Sequence, residues 1–181
     1  MSPVLKTLDI EPCFDLEMFL SVSQEKRVGG ELLERIAGLW EEWKPHAHAA
    51  SFECEGQGYL LVWLGDAVDE AVDSTWDTRP SEAFLLNALA QVMCMSLVYS
   101  VVPKVEMAGC AAAPNPSPAL GEILAGAGVP YSNGGPTLSR HFAVLTYNPF
   151  KGGCEVCSLQ KNCPKGSGAQ SMSVELPGYQ L

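Results

Sequence analysis

The chain has 181 residues, seven of them cysteine, and a net charge of -10. That length suits one domain built on a single core. With 11 Lys plus Arg there is no basic stripe to meet phosphates, which argues against nucleic acid, and an anionic membrane surface would repel the chain.

The opening stretch "MSPVLKTLDIEPCFDLEMFL" carries Asp9, Glu11, Asp15 and Glu17. It has no apolar run behind a basic start, so no secretion signal is expected. A cytoplasmic location follows as an expectation, with cysteines that are reduced or bound to metal. The odd cysteine count argues in the same direction.

Residues 15–22, "DLEMFLSV", read as a short helix. Residues 29–44 read as an amphipathic helix, because Leu32, Leu33, Ile36, Leu39, Trp40 and Trp43 recur at three- and four-residue steps. Glu31, Glu34, Glu41 and Glu42 take its other face, and Pro45 ends it. "SFECEGQGYLLVWLG" predicts two strands around a glycine turn. A long helix from about Ser81 to Val102 comes next, with Ser81 as N-cap and Pro103 as stop. Between Glu82 and Lys104 lie 21 uncharged residues, enough to span a bilayer. Asn87, Gln91, Ser96 and Ser100 interrupt them and no aromatic belt brackets them, so a helix buried in a core is the preferred reading.

Further on, "CAAAPNPSP" is a proline-punctuated loop, "PALGEILAGAG" a short helix and "YSNGGP" a turn. "RHFAVLTYNPF" predicts a strand, taken as central. Helices and strands mix without regular alternation, which favours α+β over a doubly wound sheet. The expected organisation is one α+β domain over residues 1–165, including a cysteine-rich C-terminal segment 151–165, and an extended tail over 166–181.

The chemistry concentrates in "KGGCEVCSLQKNCPKG". Cys154, Cys157 and Cys163 form a C-x2-C-x5-C-P pattern, and Gly152 and Gly153 precede it. Soft thiolates on such backbone suit an iron–sulfur cluster or zinc. Unliganded thiols and a labile CxxC disulfide stay open as alternatives. A tetrahedral zinc or a cubane normally takes four ligands. The fourth is assigned to Cys110 in the "MAGCAAAPNPSP" loop, with Cys54, Cys13, Cys94, a histidine or an outside molecule as alternatives. Other candidates read as structural. His46 and His48 read as solvated loop residues, His141 as a satisfied histidine in a strand, and Asp66, Asp69, Glu70, Asp73 and Asp77 as a solvated helix face. There is no Walker loop, dinucleotide fingerprint or nucleophile elbow.

The order of these features carries a resemblance. "GELLERIAGLWEEWKPHA", "LVWLGDAVDEAVD", "AFLLNALAQVMCMSLVYSVVP", "GVPYSNGGPTLSRHFAVLTYNPF" and the terminal "CEVCSLQKNCP" succeed one another over residues 5–165. The succession resembles the stand-alone relatives of the activation domain of cobalamin-dependent methionine synthase, some of which end in a comparable cysteine cluster. The resemblance implies a curved, largely antiparallel sheet flanked by helices. It also implies S-adenosylmethionine or cobalamin as a ligand, and a corrinoid protein or redox partner. The family clasps S-adenosylmethionine with an Arg and a Pro-Gly-Tyr turn. The corresponding "VEMAGCAAAPNPSP" has neither, so that contact is not carried over. Thr137 and Ser139, in "TLSR", stand as weak ligand candidates. The expected role is an accessory redox or metal-binding protein of corrinoid or one-carbon metabolism carrying an iron–sulfur cluster. The alternatives are an assembly module with structural zinc or a degenerate S-adenosylmethionine-binding domain.

Overall fold

The computed structural model describes residues 5–131, 138 and 140–163. Residues 132–136 of the "YSNGGP" turn, Thr137, Ser139 and the tail 166–181 lie outside the described residues.

Four strands form one antiparallel sheet: β1 (Lys6–Thr7), β2 (Ala47–Cys54), β3 (Gln57–Leu64) and β4 (Ala143–Tyr147), in that spatial order. Among the described residues there are six α-helices, α1 (Leu16–Ser23), α2 (Gly30–Trp43), α3 (Asp66–Thr78), α4 (Pro80–Val101), α5 (Pro103–Ala108) and α6 (Pro118–Gly126), and the fold is α+β. β2 and β3 make a two-residue hairpin, Cys54 opposite Gln57, turning through Glu55 and Gly56 at φ 52 and 75. Positive φ at both central residues matches the right-handed twist of the flanking strands. Among the described residues β4 pairs with β3 alone, so it is an edge strand there and not a central one.

The sheet has two apolar faces because β3 is apolar at nearly every position. Leu60, Val62 and Leu64 point to one face with Ala49 of β2, and these pack with α4 residues Leu89, Met93 and Leu97. Leu61 and Tyr59 point to the other with Phe52 and Leu145, and meet Leu120 and Leu124 of α6, Val129 and Tyr131. Helix α4 packs on α1, α3 and β3. It is long and apolar enough to cross a membrane, with a mean hydropathy of 1.7, but 56% of that window is buried within the protein. Its two serines bond back to the helix: the buried Ser96 hydroxyl donates to the Met93 carbonyl at 3.0 Å and the exposed Ser100 to the Ser96 carbonyl at 2.9 Å, while Gln91 faces solvent.

Two helix boundaries differ from expectation. Arg79, not Ser81, occupies the N-cap of α4, and Pro80 takes the first helical position. A proline is favoured there because its missing N–H has no partner to lose. Arg79 and Arg35 of α2 both pair with Glu82 in the first turn of α4. Pro103 ends α4 and begins α5 for the same reason. Helix α2 stops at Trp43, and Lys44–His46 continue as one 3-10 turn before β2.

Gly58 is required by close approach. A Cβ there would stand 2.1 Å from the Asn148 carbonyl oxygen, where the β3–β4 pairing continues through the Asn148 N–H to Gly58 carbonyl bond at 3.0 Å. Gly38, in contrast, faces open space inside α2. Gly58→Ala should therefore destabilise by about 1–3 kcal/mol. Gly38→Ala should stabilise by roughly 0.5–1 kcal/mol through helix propensity. Urea unfolding of both variants beside the parent checks the opposite signs.

Candidate metal centre

The Cys110 loop is anchored at both ends. Helix α5 stops at Gly109, directly before Cys110. At the far end Ser117 caps α6, accepting the Leu120 N–H at 3.2 Å, and its hydroxyl donates to Glu55 Oε2 at 2.7 Å. Between these points Ala112 is buried and Pro114 offers its carbonyl to the Tyr131 hydroxyl.

The C-terminal cysteines sit on two short turns. Cys154–Val156 and Gln160–Asn162 are 3-10 turns, and each is followed by an extended cysteine, Cys157 and Cys163. The Cys157 N–H donates back to the Cys154 carbonyl at 3.2 Å. This is the local geometry that C-x2-C favours, because a one-turn reversal brings the flanking residues back toward each other.

The segment is clipped to the Cys110 loop at Ala113. The Ser158 N–H donates to the Ala113 carbonyl at 2.8 Å. The Ala113 N–H donates to Cys157 Sγ at 3.4 Å. Tyr131, 5% exposed, donates its hydroxyl to the Pro114 carbonyl, one residue beyond Ala113, and the Ser158 side chain acts on the same phenol. Burial pushes the Tyr131 phenol up to about 12, opposed by the Ser158 bond and reinforced by Tyr147 and Cys157.

The structure thus brings the loop holding Cys110 against the segment holding Cys154, Cys157 and Cys163. All four are half-buried and none is in a disulfide. The Cys110 thiol lies near its neighbour's carbonyl, Ala111 O, at 3.5 Å. Among the described residues, no three His, Cys, Asp or Glu side chains already form a group able to hold a metal ion. Of these four half-buried sulfurs, Cys157 Sγ accepts the Ala113 N–H. The remaining cysteines are placed differently. Cys94 is buried in α4 and Cys54 in β2, and burial pushes both thiols up. Cys13 is exposed, just before α1.

A second polar cluster lies where β3 leads into α3. The Arg140 side chain, 8% exposed, pairs with Asp66 and, at 3.2 Å, with Asp69. These groups line a cavity of about 290 Å³ with Asp73, Gly128 and His141. Burial pushes the Asp69 carboxyl up against the pull of Arg140 and His141. Asp69 is therefore a half-buried partner of Arg140, while Asp66, Glu70, Asp73 and Asp77 form the solvated helix face that was expected, with Asp66 reaching Arg140 from it. His48 belongs to β2, where its ring lies 5.1 Å from that of Trp63, and not to a loop. Burial, then the charges of Arg140 and His46, hold His48 below the usual histidine range. His46 ends the 3-10 turn beside Gly65, and His141 is exposed just ahead of β4.

The sequence held no signal for Ala113, whose contribution is a backbone amide. Tyr131 and Ser158 were equally silent, and only the approach of distant segments gives them a role. Compared with known proteins, the chain matches no family model, no curated protein and no solved structure.

The Tyr131 phenol sets a pH limit. Its folded value, about 12, lies above the ordinary tyrosine value of 10.0. Between these values the unfolded chain loses the proton first, so this contribution to stability falls as pH rises from about 10 and levels off near 12. Tyr131→Phe should cost about 1 kcal/mol at neutral pH and flatten that alkaline fall. Denaturant midpoints measured across the range check both effects.

Proposed function

We propose that the protein is an accessory redox protein that holds an iron–sulfur cluster on Cys154, Cys157 and Cys163, with Cys110 as fourth ligand. One observation carries this reading: the Ala113 clip, which lays the Cys110 loop on the cysteine segment and aims a backbone N–H at Cys157 Sγ. Thiolate ligands of clusters are tuned by such N–H donors.

In this reading each part of the chain has a task. The two 3-10 turns present the C-terminal sulfurs on short backbone that can adjust at little cost. The Ser117 cap and the Tyr131–Pro114 bond hold the facing loop still. A cluster held there would supply one-electron transfer. The exposed side chains of Val156 and Leu159 flank Cys157 and offer an apolar rim to a redox partner. The tie to corrinoid or one-carbon metabolism, to a corrinoid protein as partner and to a cytoplasmic location rests on the order of features along the chain. S-adenosylmethionine and cobalamin enter on the same ground.

Protein prepared without oxygen should show a broad brown absorbance near 400 nm, as thiolate-bound iron does on the order of that wavelength. Cys157→Ser should lose it. A colourless protein carrying about one zinc per chain would replace the cluster with a structural zinc site. Titration calorimetry with S-adenosylmethionine tests the remaining part. An absence of heat at roughly millimolar ligand, far weaker than a working site needs, would remove that ligand.

A further inference from the structure

Helix α3, "DAVDEAVDSTWDT", carries Asp66, Asp69, Glu70, Asp73 and Asp77 and no Lys, Arg or His. Asp66 and Asp69 stand in its first turn, where the helix dipole favours carboxylates, and both pair with Arg140. Asp77 stands in the last turn, where the dipole favours a cation, and Asp73 lies one turn before it. Glu70, Asp73 and Asp77 are exposed, and none of them has an ion pair among the described residues.

The same end of α3 carries an exposed aromatic pair. Phe84, near the start of α4, is 64% exposed, and its ring lies edge-on to that of half-buried Trp76 at 4.6 Å. Asp73, three residues before Trp76, shares its side of the helix, and Asp77 follows it directly. The arginines nearby are already engaged, since Arg79 and Arg35 both pair with Glu82. An exposed ring beside uncompensated carboxylates suits a Lys or Arg side chain, which is attracted both to an aromatic face and to the acids. Nucleic acid and anionic lipid would be repelled. A second copy packed here about a two-fold axis would set acids against acids.

We propose that the end of α3 and the start of α4 form a docking surface for a protein partner presenting a basic, amphipathic segment. Phe84 is its apolar anchor, and Asp73 and Asp77 are its charged rim. A cation seated there offsets the carboxylates and the free carbonyls at the end of α3 together. The surface is separate from the cysteine segment and does not depend on the redox reading.

The test titrates the full chain with a synthetic peptide of leucine and lysine in amphipathic helical spacing, and with the same peptide carrying glutamate in place of lysine. Calorimetry at low and high salt reads the affinity. The expected result is binding of the lysine peptide alone, weakened at least about tenfold in Phe84→Ala, as for an interface hot spot. Asp73→Asn combined with Asp77→Asn should weaken it at low salt and remove most of its salt dependence. Glu31→Gln combined with Glu34→Gln, on the exposed face of α2, should keep the parental affinity. Parental affinity in Phe84→Ala overturns the proposal. So does an equal loss in the α2 variant, which marks diffuse charge attraction, and so does an absence of binding to the parent. Thermal melts establish that each variant is folded. Should Phe84→Ala not fold, amide NMR shifts of the parent on adding the lysine peptide decide. Shifts centred on Asp73, Trp76, Asp77 and Phe84 support the surface, and shifts centred on residues 154–163 overturn it.

Discussion

The burial of α4 is the constraint on which the fold depends. From Ala83 to Val98 the helix is apolar on nearly every side, and eleven of its residues are buried. A helix this apolar needs cover on most of its sides, and only positions such as Phe84 and Gln91 are left exposed. The sheet covers one side through Leu60, Val62 and Leu64. Helices α1 and α3 cover others, and Arg35 of α2 ties that helix to the first turn of α4. Fully burying each large side chain contributes about 1.5–3 kcal/mol, so this one helix is a substantial part of the apolar side of the balance against chain entropy.

Because α4 takes one face of the sheet, the second face must be closed by segments later in the chain. That task falls to α6, Val129 and Tyr131. Tyr131 is where closure of the core and construction of the cysteine site meet. Its ring completes the second core and its hydroxyl holds the Pro114 carbonyl. The loop so held then presents Ala113 to Cys157 and Ser158. The cysteine segment is thus attached to the body of the domain by a short chain of bonds that starts in the hydrophobic core.

The charges obey a separate logic. The protein carries many more acids than bases, yet its most buried cation, Arg140, is given two carboxylates. A buried guanidinium without a partner would be costly. Asp66 and Asp69 stand one helical turn apart at the start of α3, within reach of a residue far along the chain. The pair joins α3 to the approach to β4, at the end of the sheet where His48 and His141 also lie.

Much of this was legible in the amino-acid order, because local physics decides it. The three-and-four spacing of Ile36, Trp40 and Trp43 made α2, the Glu55–Gly56 turn made the hairpin, and the uncharged run from Ala83 made α4. The C-x2-C spacing of Cys154 and Cys157 made the one-turn reversal that joins them. The N-cap of α4 was misplaced by two residues because Pro80 satisfies the helix start better than Ser81 caps it. The edge position of β4 was hidden because strand order is a matter of pairing between distant segments. For the same reason, only the tertiary structure could show that Arg140 neutralises Asp66 and Asp69, or that an alanine amide meets a cysteine sulfur 44 residues away. A backbone N–H carries no side-chain signature, so its partner is decided by the fold and not by the letter at that position.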